Sequence, residues 1–383
     1  MKALITLLIL ITSVCHASEE RFSITSKLID ETTAVRVTLP DTYAHSDTFN
    51  YPLLIVLDGA TQFPHVAAST QFLSTYAILP EMIVVGVSTH KRLQYFTPTE
   101  HEKFVGRSGQ ANAFKAYLHK ELIPTLKSKY RIAPYYVISG HSMGGLFTSY
   151  LALQSDSEFN AHIAISPSFW WDDNMLVDTY QALPNQHLST AKRWFLSMAN
   201  EPGEMNDSYV AMLSALNAKT IKNLHWFSQR FADETHDSTP LIGNAQALKS
   251  LFHNWNAVPE ITVMSLAQLQ AFYQRKSEEY GYNFPLSAHQ YNVYGLKAAY
   301  EGKTTWGVEI LEQGVKHFAQ SEILWDSLAT AYTLDNQPAK ALTASKKALR
   351  LAKANHSIYL HEITSQNKQL MSKVKSNDDS VSL

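Results

Sequence analysis

Along the chain, apolar positions fall into two successive patterns. From Ser23 to about Trp255, short runs of consecutive apolar residues alternate with stretches of helical spacing. The runs AVRVTL, PLLIVLDG, MIVVGVS, YYVISG, HIAIS, RWFLSMA and LHWFSQRF read as strands. Between them, ANAFKAYLHKELIPTLKSKY and SYVAMLSALNAKTI read as helices. Strands that are apolar throughout, separated by helices, predict a mostly parallel sheet covered on both faces. Functional groups in such a sheet collect at the carboxyl ends of its strands. After Val258–Glu260 the β-type runs stop, and most of the chain to about Lys368 reads as helix. The closing KSNDDSVSL is too polar to bury a face and is expected to be a disordered tail.

The helical third carries a pattern of its own. LWDSLATAYTLDNQPAKALTASKKALRLA places Trp325, Leu328, Tyr332, Ala341 and Ala348 at tetratricopeptide spacing, where small residues let paired helices approach. A degenerate earlier copy runs through Val293, Leu296, Tyr300, Leu311 and Gly314. Two copies are too few to bury their faces alone, so the helix LAQLQAFYQRKSEEYG is expected to tie them to the preceding domain. The expected layout is a leader at 1–17, an α/β domain at 18–257, a connecting helix at 258–287, tetratricopeptide-like repeats at 288–355 and a polar tail at 369–383. A protein partner for the repeats is one expectation of this layout.

Composition narrows the choices. With 383 residues, 45% of them hydrophobic, the chain can bury a sizeable core. A net charge of −2 offers no polyanion-binding surface, so nucleic acid is not expected as a partner. The start, MKALITLLILITSVCHASEE, has the layout of an export signal: Lys2, an apolar core from Ala3 to Val14, and Cys15-His16-Ala17 before Ser18. Its apolar run is short for a bilayer span, and no membrane span is expected after cleavage. Lipidation at Cys15 is the alternative, disfavoured by the bulky Val14 before it. Cys15 is the single cysteine, so cleavage after Ala17 leaves a chain without disulfides for the periplasm or medium.

The sharpest chemical signal is VISGHSMGGLF. Gly140-His141-Ser142-Met143-Gly144 fits G-x-S-x-G between a strand run and a helical run, the context of a nucleophile elbow. Both Gly140 and Gly144 are expected to be too crowded for a side chain. An α/β-hydrolase then requires an acid and a histidine, in that order, after later strands. Glu201 follows RWFLSMA, with Glu204 and Asp207 as nearby alternatives; His236 lies in the polar loop after the last strand. His236 would take the Ser142 proton and Glu201 would hold the imidazole. Oxyanion donors are expected from the Met143 amide and from the loop around Gly59 and Ala60. Asp58 is placed either as a turn cap or beside the substrate, and Trp170 or Trp171 as a pocket wall. Lys91 and Arg92 are candidate attractors of an anionic substrate. Histidines and acids lack the close sequence pairing of zinc sites, and no phosphate-binding loop appears. Neither metal nor cofactor is expected.

LLIVLDGATQF, FKAYLHKELIPTLKSKYRIAPYYVISGHSMGGL, ISPSFWWDD and FADETHDSTP together resemble the esterase D or putative-esterase family of α/β-hydrolases, across most of residues 23–256. That family includes enterochelin-type siderophore esterases, feruloyl esterases and mycolyltransferases. The resemblance implies Ser142 as nucleophile, His236 as base, Glu201 as acid, and amides near Ala60 and Met143 as the oxyanion hole. Asp58, Gly59, Trp170, Trp171 and Arg92 are the residues expected around a small-molecule ester. Many relatives carry Arg-Asp before an aromatic-Thr-Pro, where this chain has Gln94-Tyr95 before Phe96-Thr97-Pro98; that departure touches the substrate rather than the chemistry. The resulting expectation is an exported serine esterase. Acyl transfer to another alcohol, and an interaction protein with an inactive core, are the alternatives. If the leader is cleaved as read, the mature protein from a Gram-negative host begins at Ser18 in periplasm or medium. A cytoplasmic chain still starting at Met1 contradicts this.

Overall fold

The computed structural model describes residues 19–256 and 263–381. Eight strands form one sheet: β1 (Glu20–Ser26), β2 (Glu31–Thr38), β3 (Tyr51–Leu57), β4 (Ile83–Ser88), β5 (Ile132–His141), β6 (Ala161–Ile165), β7 (Lys192–Met198) and β8 (Leu224–Arg230). Their order is β1-β2-β4-β3-β5-β6-β7-β8. From β4 to β8 neighbouring strands are parallel, while β2 runs antiparallel to both β4 and β1. All seven apolar runs become strands. The eighth, β1, has no such run: as an edge strand it leaves alternate side chains exposed and needs no continuous apolar sequence.

Alternation across the sheet divides the core in two. Leu53, Ile55 and Leu57 of β3 face one layer, packed with Phe114, Leu122, Leu146 and Phe147. Leu54 and Val56 face the other, packed with Val66, Leu248 and Trp255. The first layer holds the helices Ala111–Tyr117, Ile123–Lys129 and Met143–Ala152; a π-helical turn at Leu118–Leu122 joins the first two, so the expected long helix is continuous. The second layer holds Phe63–Thr75 and Thr239–Leu251.

Six further helices follow: Leu266–Tyr280, Ala288–Tyr300, Thr304–His317, Glu322–Leu334, Pro338–Ala354 and Leu360–Val381. Side chains of Ser265 and Ser287 close capping boxes at the first two. Close helix approach is visible at Gly307, where an added Cβ would stand 2.6 Å from the Gly295 carbonyl oxygen. The last helix runs to Val381, so the backbone is helical through most of 369–383, in place of the expected disordered tail. Its packed face lies ahead of KSNDDSVSL: Ile363 and Leu370 are buried, and Asn367 Nδ2 donates to Ser345 Oγ at 3.0 Å.

The helical region shares its core with the sheet. Trp255 packs edge-on against Phe252, Tyr273, Tyr280 and Phe284, with centroids 4.8–5.7 Å away. Burial of each large apolar side chain contributes about 1.5–3 kcal/mol. Arg193 of β7 lies 4.1 Å over the Tyr280 ring and donates to Glu279 at 2.6 Å, so a charged side chain is both stacked and paired at the same seam. Among the described residues, no helix is long and apolar enough to cross a membrane.

Candidate active site

β5 reaches the centre of the sheet and turns into the helix Met143–Ala152 at Ser142, whose φ of 58° and ψ of −116° are strained for a side-chain-bearing residue. Such a conformation costs on the order of 1–3 kcal/mol and must be held from outside. The Ser142 amide donates to the Ile165 carbonyl of β6 at 2.9 Å, and the Leu146 amide to the Ser142 carbonyl at 2.9 Å. Gly140 makes the turn sterically feasible, since a Cβ there would lie 2.3 Å from the Gly144 carbonyl oxygen. Gly144 does not behave as expected. A Cβ at Gly144 meets nothing nearer than Asp58 Oδ2 at 3.5 Å, because it would point towards Asp58 and Leu57 and not at Gly140.

Two later loops converge on this turn. Glu201 follows β7 and is buried; His236 follows β8 and is about one-third exposed. His236 Nδ1 and Glu201 Oε2 are 2.6 Å apart. The other carboxylate oxygen accepts from Ser166 Oγ at 2.6 Å and from the Ala199 amide at 3.3 Å. Burial pushes the Glu201 carboxyl up, but the hydrogen bonds from His236 and Ser166 and the charge of His236 outweigh it, holding the group below its usual range. The alternatives Glu204 and Asp207 are exposed on the helix Glu204–Ala218.

Two serines of the SPSFWW segment belong to this site and escaped the sequence reading, which weighed only the aromatics there. Ser166, at a φ of 42°, holds Glu201 as above. Ser168 is buried, with its hydroxyl 3.3 Å from that of Ser142. Among the described residues, the Ser142 hydroxyl is hydrogen-bonded to Ser168 and not to His236. His141 packs against His236 with ring centroids 4.4 Å apart. Burial, then the adjacent His236 and Arg92, pull its pKa down to about 4, so His141 is a neutral wall.

The remaining expected residues separate by environment. Met143 opens its helix, so its amide has no intrahelical acceptor and faces the turn. The Ala60 amide is engaged with Ser88 Oγ at 2.9 Å, and the Gly59 amide with the Val87 carbonyl at 3.0 Å. Gly59 is thus spent on joining its loop to β4 and offers no free donor to a substrate. Trp170 lines the cleft and donates to Met205 Sδ at 3.0 Å. Trp171 does not: it is fully buried, stacks on Phe104 and donates to Thr99 Oγ1, which makes it a core residue rather than a pocket wall. Arg92 is held beside the elbow: its Nε donates to both Asp58 oxygens at 2.8 and 3.0 Å, and its Nη2 to the His141 carbonyl at 2.9 Å. Arg92 and Asp58 thus brace the loops beneath the elbow.

Ser142, Met143, Ser168, Trp170, Glu201 and His236 border an open cleft of about 540 Å³, completed by Pro202, Glu204 and Met205. Its border contains two carboxylates and no lysine or arginine. The arrangement can support nucleophilic attack by a hydroxyl beside an imidazole–carboxylate pair.

A parallel sheet with a serine on the strained turn after a central strand is the architecture of the α/β-hydrolases. Within that class the chain belongs to the putative esterase family, matching it over residues 26–238, and it is a carboxylic ester hydrolase. It is 24% identical over 229 residues to the ferri-bacillibactin esterase BesA of Bacillus subtilis (strain 168), spanning 53% of this chain and 79% of that protein. The solved structure of an IroE-like serine hydrolase from Shewanella oneidensis is 27% identical, with a TM-score of 0.67 over 79% of this chain and 100% of that one. An uncharacterised protein from Capnocytophaga ochracea DSM 7271, 17% identical, shares the fold over 93% of this chain and 100% of its own, at a TM-score of 0.59.

The contrast between the two motif glycines is testable. Gly140→Ala should lower stability by about 1–3 kcal/mol or more through backbone overlap, whereas Gly144→Ala should stay within about 1 kcal/mol of wild type. Denaturant unfolding of both variants checks this. Equal losses would contradict the turn geometry.

Proposed function

We propose that the protein hydrolyses its ester through an acyl-enzyme on Ser142. The observation that carries this reading is the His236–Glu201 pair, 2.6 Å apart, bordering the same cleft as a serine held at positive φ. Ser142 Oγ turns from Ser168 towards His236, loses its proton to Nε2 and bonds to the ester carbonyl carbon. Glu201, bonded to Nδ1, fixes the tautomer and stabilises the imidazolium. The Met143 amide meets the developing oxyanion, joined by the Ala60 amide once it leaves Ser88. The ester C–O bond then breaks, and the alcohol departs with the proton from His236. Water repeats the sequence at the acyl carbon and frees Ser142. The cleft is open to solvent, which supports hydrolysis over transfer to a bound alcohol.

For the substrate we infer a siderophore-lactone ester, with feruloyl or acetyl esters as the competing class. The likeness to BesA, named as a ferri-bacillibactin esterase, supports it. Because Arg92 is tied to Asp58, recognition rests on the Trp170 surface and on shape rather than on a cation at the cleft. Export belongs to the same reading: residues 1–17 lie outside the described residues, and their signal-like sequence is its support. So does the division of the chain near 257, with tetratricopeptide-like pairing of the helices that follow.

Ser142→Ala and His236→Ala should each lower kcat/KM on a p-nitrophenyl ester by about 10⁴-fold or more, and Glu201→Ala by less. Across a panel of trilactones, feruloyl sugars and acetyl sugars, the trilactone should give the highest kcat/KM. Near-wild-type turnover by Ser142→Ala overturns the mechanism; a preference for feruloyl or acetyl sugars overturns only the substrate.

A further inference from the structure

A second polar cluster lies away from the cleft, at the seam between the esterase body and the helical region. Asp41 follows β2, Glu81 precedes β4, and His289 is the second residue of the helix Ala288–Tyr300. His289 Nε2 is 3.1 Å from Asp41 Oδ1 and 3.5 Å from Glu81 Oε1. One donor atom from each residue lies within 4.8 Å of the other two. Glu81 and His289 are 2% and 8% exposed, while Asp41 remains partly open to solvent. Glu81 Oε1 accepts from Thr42, but Oε2 has no hydrogen-bond donor, with Ser287 only nearby. An orphaned carboxylate oxygen on a side chain this buried is costly and points to a missing partner.

We infer that Asp41, Glu81 and His289 form a binding site for a divalent cation of the zinc class, which would fasten the helical region to the esterase body. Three features carry this. First, the donor set is an imidazole with two carboxylates, a mixture that suits zinc. Second, bonds of about 2.0–2.1 Å in a tetrahedron place neighbouring donors roughly 3.3 Å apart; His289 Nε2 stands 3.1 and 3.5 Å from the two carboxylates, and all three donor atoms lie within 4.8 Å of one another. Third, charge balances: two carboxylates and a neutral imidazole offset a dication, whereas an imidazolium leaves one negative charge in excess. Solvent reaches the site beside Asp41 and can supply a fourth ligand. Sequence spacing could not show this cluster, because Asp41 and His289 are 248 residues apart.

Zinc titrated calorimetrically into chelator-stripped full-length protein near neutral pH tests the site. One equivalent should bind with micromolar or tighter affinity and raise Tm by about 2–4 °C or more. Asp41→Asn and His289→Ala should each weaken binding by about tenfold or more, while His236→Ala leaves it unchanged. Asp41 is partly exposed, so Asp41→Asn probes the site even where His289→Ala fails to fold. Absence of saturable binding overturns the inference and leaves a protonated His289 alone bridging the seam. Binding that survives Asp41→Asn, or that is lost in His236→Ala, overturns it as well.

Discussion

The turn at Ser142 is the constraint around which this fold is arranged. A strand must end, reverse and become a helix within one residue, and the backbone can do so only because Gly140 has no side chain in the way. Its positive φ is a local cost of roughly 1–3 kcal/mol. The neighbouring strand β6 offsets that cost through the Ile165 carbonyl, and Arg92 adds a bond to the His141 carbonyl on the other side. Asp58 holds Arg92 in turn. What first reads as a set of polar groups near a substrate is, in good part, a brace for one strained residue. The serine hydroxyl is thereby presented at the carboxyl ends of the parallel strands, where the loops after β7 and β8 bring Glu201 and His236.

The helical region is joined to this body by a shared core rather than by a flexible tether. Trp255 sits where the last sheet-facing helix ends, and the rings around it come from both sides of the seam. Phe49, before β3, meets Phe318 of the helical region at 5.1 Å, so a second apolar contact lies on the same seam. Among the described residues, those that border the cleft all precede Pro240, so the helices do not line it.

Much of this was legible in the chain itself, for identifiable reasons. Strands β3 to β7 appear as apolar runs because they are buried on both faces; β1 does not, because its alternate side chains are exposed, while the half-buried edge strand β8 is legible through Leu224, Trp226 and Phe227. The order Ser142, Glu201, His236 could be read because each residue ends a strand–loop unit, and the structure brings the three to one cleft. Proximity without orientation was the limit. Trp170 and Trp171 are adjacent in sequence, yet one lines the cleft and the other is buried beneath it. Ser166 and Ser168 carry no signal of their own, since serine in a turn is common. Their roles arise only when Glu201 and Ser142 arrive from distant segments. The same holds for the Asp41, Glu81 and His289 cluster.

The central claim, that Ser142 and not its neighbour Ser168 is the nucleophile, is tested most directly by covalent labelling. The active protein would be treated with a fluorophosphonate until hydrolysis stops, then digested and sequenced by mass spectrometry. The account predicts one phosphonyl group per chain, on Ser142. Stoichiometric labelling of Ser168, or complete inactivation without modification of Ser142, would contradict it.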